Sequence, residues 1–175
     1  WLNALDEGRR VADVGSGGGL PGMVVAICRG DLDVSLIEAT GKKAQFLKDT
    51  ADALGLGNVT VLNDRAEAVG HQTKHRQGYD AVVSRAVGGL SAVLEWSLPL
   101  PKLEGFVLAM KGPKVEAELD GCGDALATLG GGEVRVYDAY PESFGNSLVV
   151  VQVLKERPTP QDFPREPGIA KRQPL

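Results

Sequence analysis

The sequence predicts a doubly wound α/β sheet, mostly parallel, with an antiparallel hairpin added near its C-terminal end. Three observations carry that expectation. Short β-rich runs alternate with helix-like stretches along most of the chain, the order that right-handed crossovers and a sheet covered on both faces require. The first of these runs, Val11-Ala-Asp-Val14 and Val34-Ser-Leu-Ile37, are largely apolar, as strands buried on both sides must be. The last two runs are joined only by Asp138 to Asn146, a polar stretch with proline and no helical period.

Each element follows in order. A first strand over Arg10 to Val14 runs into Asp13-Val-Gly15-Ser-Gly17-Gly-Gly19-Leu-Pro21-Gly22. Alternating glycines accept positive φ and carry no Cβ to hold a ligand off the backbone, while Pro21 suits the first turn of a helix. That helix spans Pro21 to Cys28, and the second strand spans Asp33 to Glu38. Between Lys42 and Leu54 the residues Ala44, Leu47, Ala51 and Leu54 recur at spacings of three and four, marking one buried helical face that Gly55 and Gly57 end. Strands at Asn58 to Leu62, Asp80 to Ser84 and Gly105 to Met110 alternate with helices at Leu90 to Leu98 and Val115 to Leu129. Glu133 to Tyr137 and Ser147 to Leu154 form the hairpin. The Pro-rich remainder reads as an extended basic tail, which divides the chain into a domain at 1–155 and a tail at 156–175.

A chain of 175 residues fits one domain with a core that needs no staples. Cys28 and Cys122 lie far apart and outside any C-x-x-C or Cys/His cluster, so they are expected to be reduced and structural, with no metal. No apolar run approaches the length of a membrane span, and a monomer of the cell interior is expected. The net charge of −4, from 19 basic and 23 acidic side chains, argues against a nucleic-acid grip over the whole surface. Any such contact is local.

The glycine loop selects its ligand by detail. A dinucleotide fingerprint needs its third glycine at position 20, where this chain has Leu20, and the P-loop pattern is absent. Asp13, two residues before Gly15, would repel a pyrophosphate and suit an amine. S-adenosylmethionine has that amine, a cationic sulfonium, no phosphate, and a carboxylate that helix N-terminal amides can hold. Asp13, Gly15, Gly17 and Leu20 are therefore cofactor candidates. Glu38 ends the second strand, where a carboxylate accepts from both ribose hydroxyls. In Asp64-Arg65-Ala66-Glu67 the Ala66 amide can meet an adenine ring. Glu67 either contacts the adjacent backbone or belongs to the first turn of a helix, where acids are favoured. Arg85, just beyond the fourth strand, holds a ligand carboxylate or phosphate through its planar fork, or forms a structural ion pair. Lys111 puts a second cation at the same rim. An NAD-dependent oxidoreductase and a non-catalytic nucleotide- or ribosome-binding module remain as alternatives.

The loop from Asp13 to Gly22 is accompanied by Leu36-Ile-Glu38, Lys42-Lys43-Ala-x-Phe46-Leu47, Arg65-Ala-Glu67, Ser84-Arg85-Ala86 and Lys111-Gly112. The chain closes with Pro164-Arg165-x-Pro167-Gly168-Ile-x-Lys171-x-x-Pro174-Leu175. Together these runs resemble the small-subunit rRNA guanine-N7 methyltransferase family, also called glucose-inhibited division protein B. The resemblance implies a Rossmann-like class I methyltransferase fold. It implies methyl transfer from S-adenosylmethionine to N7 of a guanine in 16S rRNA, as RNA or within the small ribosomal subunit, in the bacterial cytoplasm or a plastid. It places cofactor contacts on Gly15, Leu20, Ala66, Glu67 and Arg85, and the ribose acid on Glu38. The helical segment that this family carries before the first strand is expected to be lacking, since only Trp1 to Arg9 precede it here.

Guanine N7 has a lone pair and no proton to lose, so no catalytic base is expected. RNA contacts are expected from Lys42, Lys43, the Lys74-His-Arg76 run, Arg85, Lys111, Arg165, Lys171 and Arg172. Lys42 and Lys43 open a helix, where cations are unfavourable with the dipole, which hints at an anionic ligand. From Lys155 onward five basic and three acidic residues make the tail positive, so binding should fall with salt. His71 and His75 are expected to face solvent.

Overall fold

A computed structural model describes residues 5–6, 9–112, 115–139 and 148–175. Seven strands form one sheet in the order β3-β2-β1-β4-β5-β7-β6. β1 (Arg10–Val14), β2 (Asp33–Ile37), β3 (Val59–Leu62), β4 (Tyr79–Arg85) and β5 (Pro101–Lys111) run parallel. β6 (Gly131–Asp138) and β7 (Val149–Lys155) pair antiparallel as expected, and β7 joins the hairpin to β5. The stretch joining them lies largely outside the described residues.

Period-two alternation builds two cores. Val11 on β1 and Ala81 and Val83 on β4 point toward α1 (Gly22–Cys28) and α2 (Gly41–Ala53), where they meet Met23, Val25 and Leu47. Ala12, Val14 and Val82 point to the other face. There they pack with Leu90 and Leu94 of α4 (Leu90–Ser97) and Leu129 of α6 (Gly123–Leu129). The register pairs Val14 with Ile37 on one side and with Ser84 on the other, so the carboxyl ends of β1, β2 and β4 share one edge. Ligands of open α/β sheets bind at such an edge, where the strand order reverses.

Several elements differ from expectation. The helix expected over Val115 to Leu129 is two, α5 (Val115–Asp120) and α6, because Gly121 and Gly123 flank Cys122 and supply almost no helix propensity. Ala66–His71 forms a helix, α3, with Glu67 in its first turn, which is one of the two places expected for that acid. His75 is buried and bonds the Tyr79 hydroxyl at 2.5 Å, and the His71 ring meets the Pro164 carbonyl at 2.7 Å, so neither is a free solvent group.

Residues 156–175 are not an extended tail. They fold back over α3 and α4 and end in a short helix, α7 (Ile169–Arg172). The wholly buried Lys155 ammonium donates to the carbonyls of Leu98 at 2.7 Å and Leu129 at 2.9 Å and to the Thr159 hydroxyl. One cation thus sits on the carbonyl ends of two helices, where the dipole favours it. Burial, with Arg76 and Arg157 nearby, pushes its pKa down to about 7. Arg76 donates to the carbonyls of Gly70, Thr159, Pro160 and Phe163. Proline without period reads as extended chain, but these partners lie on other elements and leave no mark on the segment's own sequence.

Candidate active site

The turn after β1 is held by its own backbone. The amides of Gly15 and Ser16 both donate to the Ile37 carbonyl, at 2.9 and 3.1 Å, which fastens the glycine loop to the tip of β2. Gly15, Gly17 and Gly19 all have positive φ. At Gly15 a Cβ would come within 2.3 Å of Val87 Cγ1, whereas at Gly18 it would meet no protein atom within 4 Å. Open space therefore lies in front of the loop.

That space is a cavity of about 360 Å³, lined by Gly15, Gly17, Leu20, Glu38, Lys43 and Arg85 among others. Its size lies within the ordinary range of small-ligand sites. Glu38, buried at its floor, accepts from the Gly17 amide at 2.9 Å and the Thr40 amide at 2.7 Å. Burial pushes its carboxyl up, but these amides, the Thr40 hydroxyl and nearby Lys43 more than reverse the effect and hold it below its ordinary value. Glu38 is a charged acceptor with lone pairs to spare. The Arg85 side chain makes no hydrogen bond or ion pair with a described residue, and Arg85 lines the cavity.

A second chamber of about 490 Å³ adjoins the first, and Leu20, Arg85 and Ala86 line both. Its walls are mostly apolar, from Pro21, Val24, Met110, Leu148 and Val149, with Lys111 and Glu118 as further charged groups. Ala86, in the shared wall, has a φ of +55°, a conformation that costs energy for a side chain with Cβ and is concentrated at functional sites.

Other expected site residues stand elsewhere. Asp13 is wholly buried and does not line either chamber. Its Oδ2 accepts from the Gly22 amide at 2.9 Å, and a Cβ at Gly22 would lie 2.7 Å from that oxygen, so the acid staples β1 to the start of α1. The Met23 amide donates to the Gly19 carbonyl, so the first two amides of α1 are already paired. Glu67 turns from the loop: its Oε1 accepts from the Gly168 amide at 3.2 Å, and it lines a separate cavity between α3 and the C-terminal segment. Ala66 packs against the core at the start of α3.

Of the expected RNA contacts, Arg165 is spent on Glu95 and Lys111 on Glu118, at 2.5 and 2.6 Å. Lys42, Lys43, Lys171 and Arg172 are exposed. Sequence reasoning missed that Lys43 lines the cofactor-sized cavity. The signal was present, since the first turn of α2 follows at once on the strand that Glu38 ends. Glu118 had no such signal, because its place depends on how α5 packs.

Asp13 sets a pH dependence. Burial pushes its carboxyl up to about 6 from 3.8, and the Gly22 amide, the Ser16 hydroxyl and Arg85 pull it back only in part. The folded chain therefore holds this proton more tightly than the unfolded chain. The stability this supplies is whole below about pH 4 and is lost as the pH rises through about 6, the reverse of a paired carboxylate. Asp13→Asn keeps an oxygen for the Gly22 amide and cannot ionise. Relative to the wild type, it should gain about 2.4 kcal/mol between pH 4 and pH 7.5, at 1.36 kcal/mol per pKa unit. Urea unfolding at both pH values measures this, and a difference that ignores pH refutes it.

The family profile described as GidB, rRNA small subunit methyltransferase G, matches residues 1–155. The ribosomal RNA small subunit methyltransferase G of Moorella thermoacetica is 37% identical over 166 residues, covering 95% of this chain and 69% of the relative. That of Lactobacillus delbrueckii subsp. bulgaricus is 38% identical over 177 residues, covering 100% and 73%. Among solved structures, the 16S rRNA (adenine(1408)-N(1))-methyltransferase from Catenulisporales acidiphilia with cosubstrate SAM superimposes with a TM-score of 0.64 at 18% identity, covering 87% of both chains. At that identity it speaks for the fold alone, that of a SAM-dependent methyltransferase. The glycine loop, the acid at the tip of β2 and these matches lead to one conclusion: the chain belongs to the rRNA small subunit methyltransferase G (GidB) family, SAM-dependent methyltransferases of small-subunit ribosomal RNA.

Proposed function

We propose that this chain binds S-adenosylmethionine in the glycine-loop cavity and methylates N7 of a guanine of 16S rRNA presented through the adjoining chamber. The observation that carries the reading is the pair of chambers joined at Leu20, Arg85 and Ala86, one built on bare backbone and a charged acceptor, the other mostly apolar. When bound, the cofactor supplies a methyl group activated by its sulfonium. Gly15 and Gly17 give it backbone to lie on. Glu38 accepts from the ribose hydroxyls with the lone pairs that Gly17 and Thr40 leave free. Arg85 takes the carboxylate, since the first two amides of α1 are paired. The Ala66 amide, at the first position of α3, has no partner within its helix and is offered to the adenine ring.

The chain's task in the transfer is to align nucleophile and methyl carbon and to keep water out, for which Leu20, Val87 and Met110 supply apolar wall. The proposed transfer takes a nucleophile that arrives without a proton to lose. Guanine N7 is one. Lys42, Lys43, Lys171 and Arg172 would meet RNA phosphates and make binding fall as salt rises. The substrate sets the compartment, the bacterial cytoplasm or a plastid.

Unmodified small-subunit rRNA incubated with the protein and S-adenosylmethionine, then digested to nucleosides, should yield 7-methylguanosine. Another methylated nucleoside would overturn the N7 assignment. Titration calorimetry should detect S-adenosylhomocysteine and not NAD. Glu38→Ala should weaken S-adenosylhomocysteine by about 1–3 kcal/mol, the usual worth of charge-assisted hydrogen bonds. A loss under about 0.5 kcal/mol would leave Glu38 a role only in fixing the loop.

A further inference from the structure

Glu118 is the acid in the lining of the second chamber. It reaches there from α5 and is fixed at one oxygen only: Oε2 accepts from the Leu90 amide at 2.6 Å and from the Lys111 ammonium at 2.6 Å. Oε1 has no partner among the described residues. Lys111 is itself tied down, donating to the Gly88 carbonyl at 2.7 Å, so the pair is anchored at the ends of both β5 and α4. An anchored carboxylate with one open oxygen, in a chamber whose walls are mostly apolar, is a reader for a flat ligand with an N–H edge.

Among the nucleobases that edge belongs above all to guanine. Its Watson–Crick side carries the N1–H and N2 amino donors side by side, whereas adenine and cytosine place an acceptor nitrogen there that a carboxylate repels. A base held by N1–H and N2–H keeps its N7 side unengaged, and the chamber shares Leu20, Arg85 and Ala86 with the cofactor cavity. We propose that Glu118 is the specificity-determining residue for the target guanine, accepting from its N1–H and N2 amino group through Oε1 while Lys111 and the Leu90 amide fix the carboxylate. This rests on the N7-guanine reading above.

Removing the guanine amino group tests it. In 16S rRNA assembled by splinted ligation, the guanosine that the wild type methylates is replaced with inosine, which keeps N7, O6 and N1–H and lacks the N2 amino group. The wild type should methylate inosine slower by about tenfold or more, because a site built to bond an N–H rejects an analogue lacking it. Glu118→Ala should be slowed on guanosine by about tenfold or more and should no longer tell the two substrates apart. Glu118→Gln, whose amide oxygen still serves the Leu90 amide, guards against a folding defect. Its amino group would face the base, and discrimination should vanish there too, with S-adenosylhomocysteine affinity unchanged. Equal wild-type rates on both substrates, or a preference for guanosine that survives in both variants, would overturn the proposal. If the wild type forms no 7-methylguanosine at all, the N7 reading itself has failed, which is a separate result.

Discussion

Gly15→Val is expected to lose S-adenosylhomocysteine binding by more than about hundredfold, near 3 kcal/mol at 1.4 kcal/mol per tenfold. Two causes act together. The φ of +72° at Gly15 is one that a β-branched residue adopts only under strain. A Cβ there would also stand 2.3 Å from Val87 Cγ1, so Val87, itself part of the cavity wall, would have to move. The Gly15 amide is fastened to the Ile37 carbonyl, which blocks relief by a shift of the loop. Calorimetry at a temperature where circular dichroism shows the variant folded separates loss of the site from loss of the fold. Wild-type affinity would remove the loop from the cofactor's contacts.

Arg165→Met is expected to lower the unfolding free energy by about 3 kcal/mol, the low end of what leaving one buried partner of an ion pair unpaired costs. Glu95 has a side chain only 1% exposed and receives three guanidinium hydrogen bonds between 2.5 and 3.1 Å. The backbone amide of Arg165 also donates to it at 2.9 Å and survives the substitution, which holds the cost at the low end. Replacing Glu95 by methionine as well should recover much of the loss, since no lone buried charge then remains. Guanidinium unfolding of the two single variants and the double variant measures the coupling. Additive losses would mean that Arg165 acts by packing alone.

What was legible in the sequence was local. Alternating apolar runs, the glycine loop and the acid at the tip of β2 each carry their meaning within a few residues, so the parallel sheet, the cavity floor at Glu38 and the rim at Arg85 could be placed in advance. Features that depend on distant elements could not. The sequence offers Glu67 two places, beside the ligand or in the first turn of a helix, and it takes the second, but its partner Gly168, over a hundred residues away, leaves no local mark. Arg165 read as a phosphate contact because a basic residue in a proline-rich segment has no visible partner, and Glu95 on α4 supplies one. Asp13 was placed beside the loop correctly, but only the packing of α1 on β1 turns it inward to Gly22.

The wall common to the two chambers has one further consequence. Because Leu20, Arg85 and Ala86 face both, a single molecule joining an adenosine-like half to a flat purine-like half would touch the same three residues from either side. Such a tethered compound would gain from the proximity of its second half once the first is seated. On the proposed reading, the partition between cofactor and target base is thus also the natural fulcrum for an inhibitor that imitates both at once.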